Sequence, residues 1–235
     1  MASRDFPNDI LSGSADEAAI GLLGCLLIRE FDDGGIAAAR IVETEAYDQN
    51  DPASHAFHGR SERNAALFGP SGRAYVYISY GMHRCFNVSA GDDGFGAGAL
   101  IRAVEPVQGI EIMRERRFSN RSGSRTAVGN RKDVDLTNGP AKLCQAMGID
   151  LKLYGHDLST APLYLERNAL LEGERIAASP RIGISKAAER LRRFFIVDNP
   201  YVTKSPLNRR NTITCRLKEH TCRLKESQRR LPEGW

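Results

Sequence analysis

The sequence predicts a single domain of the mixed α+β class. Its 235 residues suit one large domain or two small ones. Pairs of apolar runs separated by turn residues indicate antiparallel hairpins, and segments with helix-capping patterns accompany them along the chain. These observations together predict strands and helices that share one core.

Two patterns define the N-terminal part of the chain. Ser14 and Glu17 form a capping box, which predicts a short amphipathic helix. Two apolar runs around a glycine-containing turn then predict a hairpin, and a polar stretch predicts a loop. In order, we expect a flexible N-terminus at 1–13, the helix at 14–23, strands at 26–28 and 36–42, a loop at 48–63 and a short helix at 62–67.

The clearest strand pattern lies mid-chain, where YVYIS and RCFNVS are joined by a turn. Gly81 gives that turn a permissive backbone, and alternation places Cys85 and Asn87 on one face of their strand. Pro140 and Gly148 have the positions of a first-turn proline and a stop glycine. The further elements expected are strands at 75–79, 84–89 and 99–104, a helix at 107–117, an irregular basic stretch at 118–133, a helix at 138–148, and strands at 163–166 and 193–197.

The net charge of +4 is unevenly distributed. Residues 201–235 hold nine basic and three acidic side chains, so the rest of the chain is slightly acidic. This end repeats the hexapeptide TCRLKE twice, too few copies for a solenoid. We predict a domain at 14–206 and a disordered basic tail at 207–235, so any polyanion site in the domain must be local.

Composition also excludes some classes of protein. The longest apolar run covers residues 20–28, well short of the roughly 20 residues of a membrane span, so no membrane partner is expected. No secretory signal pattern is visible, and the five cysteines lack paired spacing. We therefore expect an intracellular protein, in the cytoplasm or nucleoid if bacterial and in the nucleus if eukaryotic.

Charged residues within apolar strands are candidates for chemistry. Glu43 and Glu45 alternate on a strand and share one face, which is costly unless a cation or a reaction uses them. The alternative is a pair of exposed edge residues. Arg102 lies inside another apolar strand, so it either points into a cleft or forms a salt bridge with one of these glutamates.

A tyrosine cluster and scattered histidines complete the candidates. Tyr75, Tyr77 and Tyr80 could stack on planar bases, although aromatics are also common in ordinary strands. A metal site is a weaker interpretation, since no zinc-binding spacing is present, and we predict neither a metal nor a cofactor. Its candidate ligands would be Asp51, His55, His58, His83 and Cys85.

These motifs together resemble the alkyladenine (3-methyladenine) DNA glycosylase family. The matching stretches, in family order, are RIVETEAY at 40–47, DPASH at 51–55, Arg63-Asn64, FGPSGRAYVYISYGMHRCFNV at 68–88, LIRAVEP at 100–106 and LTNGPAKLCQAMGI at 136–149. The resemblance covers residues 10–205, with Ala141 where many members have glycine. The resemblance does not extend to the basic tail at 207–235.

The resemblance implies a role for each matching side chain. It implies that Glu45 is the general base that activates water and that Arg102 supports it. It implies that a flipped base is held by Tyr47, His55 and Tyr77. It also implies that Asn87 crowds the 2-amino group of guanine and that Tyr80 intercalates in the minor groove. It also implies a curved antiparallel sheet flanked by helices, whose hairpin at 75–89 enters the minor groove.

The implied activity is hydrolysis of the N-glycosidic bond of alkylated or deaminated purines, such as 3-methyladenine, 7-methylguanine, hypoxanthine and ethenoadenine. The expected partner is double-stranded DNA with a damaged purine, bound by a monomer. Because no lysine is among the residues assigned to catalysis, we expect water as the nucleophile and an abasic product without strand cleavage.

Further DNA contacts are expected from the turn and from basic residues. The candidates in the turn are Met82 and His83. The candidates for phosphate contacts are Arg60, Arg63, Lys142 and the basic residues of segment 111–132, each of which could equally be a solvated surface charge. Two rival functions remain at this stage. One is a damaged-DNA binding protein without activity, and the other is a metal hydrolase built on His55, His58 and His83.

Overall fold

The computed structural model describes residues 5–118 and 132–208 and the backbone of 213–215. Its strands are β1 Leu26–Glu30, β2 Ile36–Asp48, β3 Ala74–Ser79, β4 His83–Ser89, β5 Ala97–Gln108, β6 Leu163–Glu166, β7 Ile176–Ser179, β8 Arg193–Ile196 and β9 Ile213–Cys215. Its helices are α1 Asn8–Leu11, α2 Ala15–Gly21, α3 Ile110–Phe118 and α4 Pro140–Ala146, with 3₁₀ helices at Glu62–Phe68, Asp133–Asp135, Leu151–Leu153 and Pro206–Asn208.

One antiparallel sheet organises the described residues. Its strand order is β3-β4-β5-β2-β8-β7-β9, with β1 beside β2 and β6 beside β1. The long strand β2 pairs with β5 on one side, whereas β1 and β8 share its other side. The sheet therefore divides along β2 and curls into a half-barrel, which confirms the predicted α+β class.

The core lies between one face of this sheet and the helices. Helix α2 packs on β2 and β5, and α4 packs on β4 and β5. Ile41, Phe86 and Ile101 are fully buried beneath these helices, in the same hydrophobic cluster as Leu143. Because successive side chains of a strand point to opposite faces, the other face of the same strands is free for different chemistry.

The predicted capping box is confirmed at the start of α2. The Glu17 amide donates to Ser14 Oγ at 3.3 Å, and the Ser14 amide donates to the Glu17 carboxylate at 2.8 Å. Within the segment predicted to be a flexible N-terminus, α1 buries Leu11 in the core. The domain boundaries at 13 and 207 stay predictions.

The start of α3 and the strand β7 also differ from the sequence-based expectation. Strand β5 continues to Gln108, through residues predicted to start a helix, and α3 begins only after Gly109. Gly109 has φ +73°, and a Cβ there would lie 2.3 Å from the Ile36 carbonyl oxygen, so only glycine suits this close approach. Strand β7 was not predicted, since its sequence IAAS is short and alanine has low strand propensity.

Two expectations concern residues that lie partly outside the described ranges. Residues 209–212 and 216–235 of the predicted tail lie outside the described residues, while β9 within it pairs with β7. Most of the basic stretch predicted at 118–133 lies outside them as well. No helix within the described ranges has both the length and the apolar content needed to cross a bilayer.

Candidate active site

A cavity of about 370 Å³ opens on the sheet face opposite the main hydrophobic core. Alternate residues of four neighbouring strands line it, and the strand register places Tyr75, Asn87, Leu100 and Glu45 in one row across β3, β4, β5 and β2. Its volume lies within the range of small-molecule sites. The sequence-predicted residues in its lining are Glu45, Tyr47, His55, Tyr77, Tyr80, Asn87 and Arg102.

Glu45 lies fully buried at the base of this cavity and is held by three groups. The hydroxyl of Tyr47 donates to its Oε2 at 2.7 Å, and the backbone amide of Ile182 donates to its Oε1 at 2.8 Å. An Nη atom of Arg102 lies 3.2 Å from the same Oε1. A carboxylate offers about four acceptor positions, so roughly one remains for a further donor.

Behind Glu45, a second carboxylate is sandwiched between two arginines. Nε of Arg102 donates to Glu43 Oε1 at 3.0 Å, and Nε of Arg193 donates to the same atom at 2.6 Å. Burial acts to raise the pKa of Glu43, but the charges of Arg102 and Arg193 outweigh it and hold that pKa below its ordinary value. The interpretation of Glu43 and Glu45 as exposed edge residues is therefore wrong.

Arg102 satisfies both interpretations offered for it. It forms salt bridges with both glutamates and also lines the cavity. The pairing of β2 with β5 has irregularities between Ile41 and Thr44, and these let Arg102 lie between two carboxylates of the neighbouring strand. Its charge offsets part of the repulsion between Glu43 and Glu45.

Aromatic rings form the opposite wall. Tyr75 and Tyr77 stack with their ring centroids 5.4 Å apart, and the imidazole of His55 meets Tyr77 edge-on at 4.5 Å. Burial, together with the positive charge of Arg63, lowers the pKa of His55, so the imidazole is neutral near pH 7. This wall thus presents flat, uncharged surfaces to the cavity.

Tyr47 lines the cavity beside Glu45. Burial and then the negative charge of Glu45 raise the pKa of Tyr47 far above its ordinary value, so the phenol keeps its proton and remains a donor. Its ring also lies under the guanidinium of Arg181, with Cζ 4.5 Å from the ring centroid. Asn87 is held from behind, since its Nδ2 donates to the Tyr75 carbonyl at 3.1 Å.

The turn between β3 and β4 projects at the mouth of the cavity. Tyr80 is 86% exposed and Met82 73% exposed, which is unusual for large apolar side chains. Tyr80 has φ +49° and Gly81 φ +71°, and the Met82 amide donates to the Ser79 carbonyl at 3.2 Å. A tyrosine in the left-handed region costs about 1–2 kcal/mol, so this turn holds Tyr80 in a strained position.

Four predicted DNA-contact residues lie outside the cavity lining. They are Met82, His83, Arg63 and Lys142. Met82 and His83 are exposed beside Tyr80, and Arg63 is exposed on the 3₁₀ helix that follows the loop carrying His55. The ammonium group of Lys142 donates to Asn138 Oδ1 at 2.6 Å. No contact with DNA is tested by this arrangement, and these four assignments stay predictions.

Some of the basic residues expected to contact phosphate are used inside the fold. Arg117 is buried and donates to the carbonyls of Leu136 and Asp135 at 3.1 Å, so it is not available to DNA. Arg114 pairs with Asp133, and the guanidinium of Arg116 lies 4.0 Å from the ring centroid of Phe31. The other arginines of this segment, Arg121, Arg125 and Arg131, lie outside the described residues.

A comparison with known proteins identifies the family to which this chain belongs. A family model described as methylpurine-DNA glycosylase matches residues 9–200. The chain belongs to the methylpurine-DNA glycosylase family. It is a DNA glycosylase, a hydrolase of DNA repair that binds damaged DNA. The predicted family is thereby confirmed, and the match ends before the repeated basic segment.

Curated relatives of this glycosylase support the assignment over nearly their whole length. A relative from Carboxydothermus hydrogenoformans is 46% identical over 78% of this chain and 90% of its own. Another from Methanoculleus marisnigri is 41% identical over 78% of this chain and 90% of its own. One from Nitrosospira multiformis is 39% identical over 86% of this chain and 95% of its own. Each bears the name "Putative 3-methyladenine DNA glycosylase".

The acidic candidate for metal binding has a different role in this glycosylase. Asp51 is fully buried and pairs with Arg181 and Arg192. Across residues 5–118 and 132–208, no three His, Cys, Asp or Glu side chains are placed to hold a metal ion together. Nδ1 of His55 instead lies 2.8 Å from the Tyr75 hydroxyl.

Sequence reasoning missed several parts of the glycosylase cavity. The loop after β7 contributes Ile182, Gly183 and Ile184, and the Ile182 amide is one of the three groups that hold Glu45. A backbone donor leaves no signal in residue type, so no sequence pattern could have identified it. By contrast, Tyr75 belongs to the predicted tyrosine cluster and Cys85 was predicted to share a face with Asn87, and both line the cavity.

Proposed function

We propose that this glycosylase flips an alkylated or deaminated purine out of double-stranded DNA and hydrolyses its N-glycosidic bond with water. The observation that carries the proposal is Glu45, a buried carboxylate at the base of an aromatic cavity, held by Tyr47, Arg102 and the Ile182 amide. The relatives' name points to 3-methyladenine as one substrate. The enzyme acts as a monomer and initiates base excision repair.

Tyr47, Tyr77 and His55 form the binding site for the flipped base. Their faces line a cavity of the size of a small-molecule site, and His55 is neutral there. Alkylation at N3 or N7 gives a purine a positive charge, and tyrosine faces attract such a cation by roughly 0.5–2 kcal/mol. Asn87 selects against guanine, because its amide is held from behind and crowds a 2-amino group.

The reaction is a displacement at C1′ of the deoxyribose. A water molecule adds to C1′ as the C1′–N bond breaks, and the bonding electron pair leaves with the purine. Glu45 accepts the proton of the water, and its negative charge stabilises the positive charge that develops on the sugar. Arg102 lies 3.2 Å from this carboxylate and holds it in place through the attraction of opposite charges. The product is an abasic site, since no lysine is among the described residues that line the cavity.

The exposed turn offsets part of the free-energy cost of flipping the nucleotide out of the duplex. Flipping a nucleotide costs a few kcal/mol of stacking and pairing. Tyr80 projects at the mouth of the cavity, and we assign it to the space in the base stack that the flipped nucleotide leaves. Met82 and His83 then lie against the minor groove, with Arg63 and Lys142 near the phosphates.

The test is base release from a panel of duplexes, each with one lesion: 3-methyladenine, 7-methylguanine, hypoxanthine or ethenoadenine. Glu45→Gln should lower the single-turnover rate at least ~100-fold, as loss of a general base does, and leave duplex affinity unchanged. Glu105→Gln is the matched control, because Glu105 pairs with Arg40 away from the cavity. A wild-type protein that binds these duplexes tightly but releases no base would instead be a damage-binding protein.

A further inference from the structure

A buried arginine outside the assigned machinery joins three chain segments that contribute residues to the cavity lining. Arg181 follows β7 and has a fully buried side chain. It pairs with Asp51 through both terminal nitrogens, and one of these also donates to the Ala46 carbonyl at 3.0 Å. The other lies 3.5 Å from the Ala187 carbonyl. One side chain thus ties the loop after β7 to the end of β2 and to the loop that leads to His55.

We propose that Arg181 is a positioning residue for the reaction, which holds the Ile182 amide on Glu45 and the ring of Tyr47 beside it. The inference rests on the proposed function, because it assigns Arg181 a role through Glu45. It gives this residue no contact with the DNA or the water.

The first support is covalent continuity. Arg181 immediately precedes Ile182, whose amide donates to Glu45 Oε1 at 2.8 Å. The guanidinium is anchored to the carbonyl of Ala46, which lies between Glu45 and Tyr47 in the chain. The donor and its acceptor are therefore fixed to each other from both sides. A shift of the loop by about 1 Å would break that hydrogen bond, and misplacement on this scale can cost ~100-fold in rate.

The second support is the stacking on Tyr47. The guanidinium Cζ lies 4.5 Å from the centroid of the Tyr47 ring. The same ring carries the hydroxyl that donates to Glu45 at 2.7 Å. Two of the three groups that hold Glu45 thus depend on where Arg181 sits.

The neighbouring arginine offers a matched comparison. Arg192 also pairs with Asp51, at 3.2 Å, and it pairs in addition with Asp16 and Asp48. Its side chain does not line the cavity, and within the described residues its hydrogen bonds go to Asp16, Asp48 and Asp51. Loss of Arg192 therefore removes more ion pairs than loss of Arg181, but leaves the anchors of Glu45 in place.

The experiment compares Arg181→Met with Arg192→Met in single-turnover base release and in affinity for a duplex with an abasic-site analogue. Arg181→Met should lower the release rate ~10- to 100-fold while affinity changes less than about threefold, as expected when geometry at the reacting centre is lost. Arg192→Met should lower the rate less than about threefold, although it removes three ion pairs.

Two further measurements keep the inference falsifiable if a methionine variant is poorly folded. Arg181→Lys keeps the charge near Asp51 but cannot span the same carbonyls, so its rate should fall more than that of Arg192→Lys. In a Glu45→Gln background, Arg181→Lys should have little additional effect, because the two residues act as one unit.

Three results would overturn the inference. Equal rate losses in the Arg181 and Arg192 variants would mean that Arg181 only stabilises the fold. Multiplicative losses with Glu45→Gln would show that it does not act through Glu45. A wild-type protein that releases no base would overturn the proposed function itself and this role with it.

Discussion

The hydroxyl of Tyr75 lies 2.8 Å from Nδ1 of His55, while its ring stacks on Tyr77. Burial raises the pKa of Tyr75 to about 12, so the phenol remains protonated at neutral pH. Because one nitrogen of a neutral imidazole is fixed by its hydrogen bond, this contact holds the orientation of the His55 ring. Tyr75 thus contacts both His55 and Tyr77, two residues of the proposed base-binding site.

Tyr75→Phe tests that relationship. The substitution keeps the stacked ring and removes the hydroxyl, so the free energy of unfolding should fall by about 1 kcal/mol. Base release should slow by about fivefold, the equivalent of that energy. Tyr154→Phe is the control, since its hydroxyl bonds only backbone groups of Ala66 and Glu62 among the described contacts. Equal slowing in both variants would contradict a role for the His55 contact.

Tyr80→Gly should separate stability from activity. Glycine relieves the left-handed backbone at this position, so the free energy of unfolding should stay constant or rise by up to about 1 kcal/mol. Single-turnover release and abasic-duplex affinity should both fall ~10- to 100-fold, because nothing then fills the vacated stack. Leu171→Ala is the control for loss of an exposed apolar side chain. Unchanged release would remove Tyr80 from the proposed flipping step.

We expect Asp51 to make the free energy of unfolding depend on pH in the acid range. Burial acts to raise the pKa of Asp51, but hydrogen bonds from Arg181 and the Ala53 amide hold it below its ordinary value. A carboxyl whose pKa is lowered by folding stabilises above its unfolded pKa, about 3.9, and loses that contribution as the pH falls through the folded pKa. Asp51→Asn should therefore be less stable at pH 7 and show a flatter decline below about pH 4.

Urea unfolding across pH 2–7 measures this dependence. The control is Asp32→Asn, which replaces an exposed carboxylate in the turn between β1 and β2. It should leave both the stability at pH 7 and its acid dependence unchanged. An acid dependence in Asp51→Asn equal to that of the wild type would show that other carboxyls, such as Glu43, account for it.

Two truncations test the repeated basic tail. Ending the chain after residue 215 removes six basic and three acidic residues but keeps β9, which pairs with β7. Base release at low salt should be unchanged. Ending it after residue 208 also removes β9 and should lower the midpoint of thermal unfolding, because β7 loses a paired strand. Loss of release in the longer truncate would show that the tail takes part in the reaction.

The local patterns of the sequence determined much of this protein. The capping box at Ser14 and the alternation at residues 75–89 specify their elements without distant contacts. Alternation also decided that Cys85 and Asn87 share a face, and both line the cavity. The spacing of Glu43 and Glu45 likewise placed two carboxylates together, since it follows from the period of a strand.

Only the tertiary structure decided what surrounds those carboxylates. Arg193 and the Ile182 amide reach Glu43 and Glu45 across more than 130 residues of chain, from β8 and from the loop after the unpredicted strand β7. Such contacts depend on strand order and register, which local periodicity does not encode. The sequence therefore determined which side chains could do the chemistry, whereas the fold of the sheet decided that Glu45 is buried, ionically paired and held by a backbone donor.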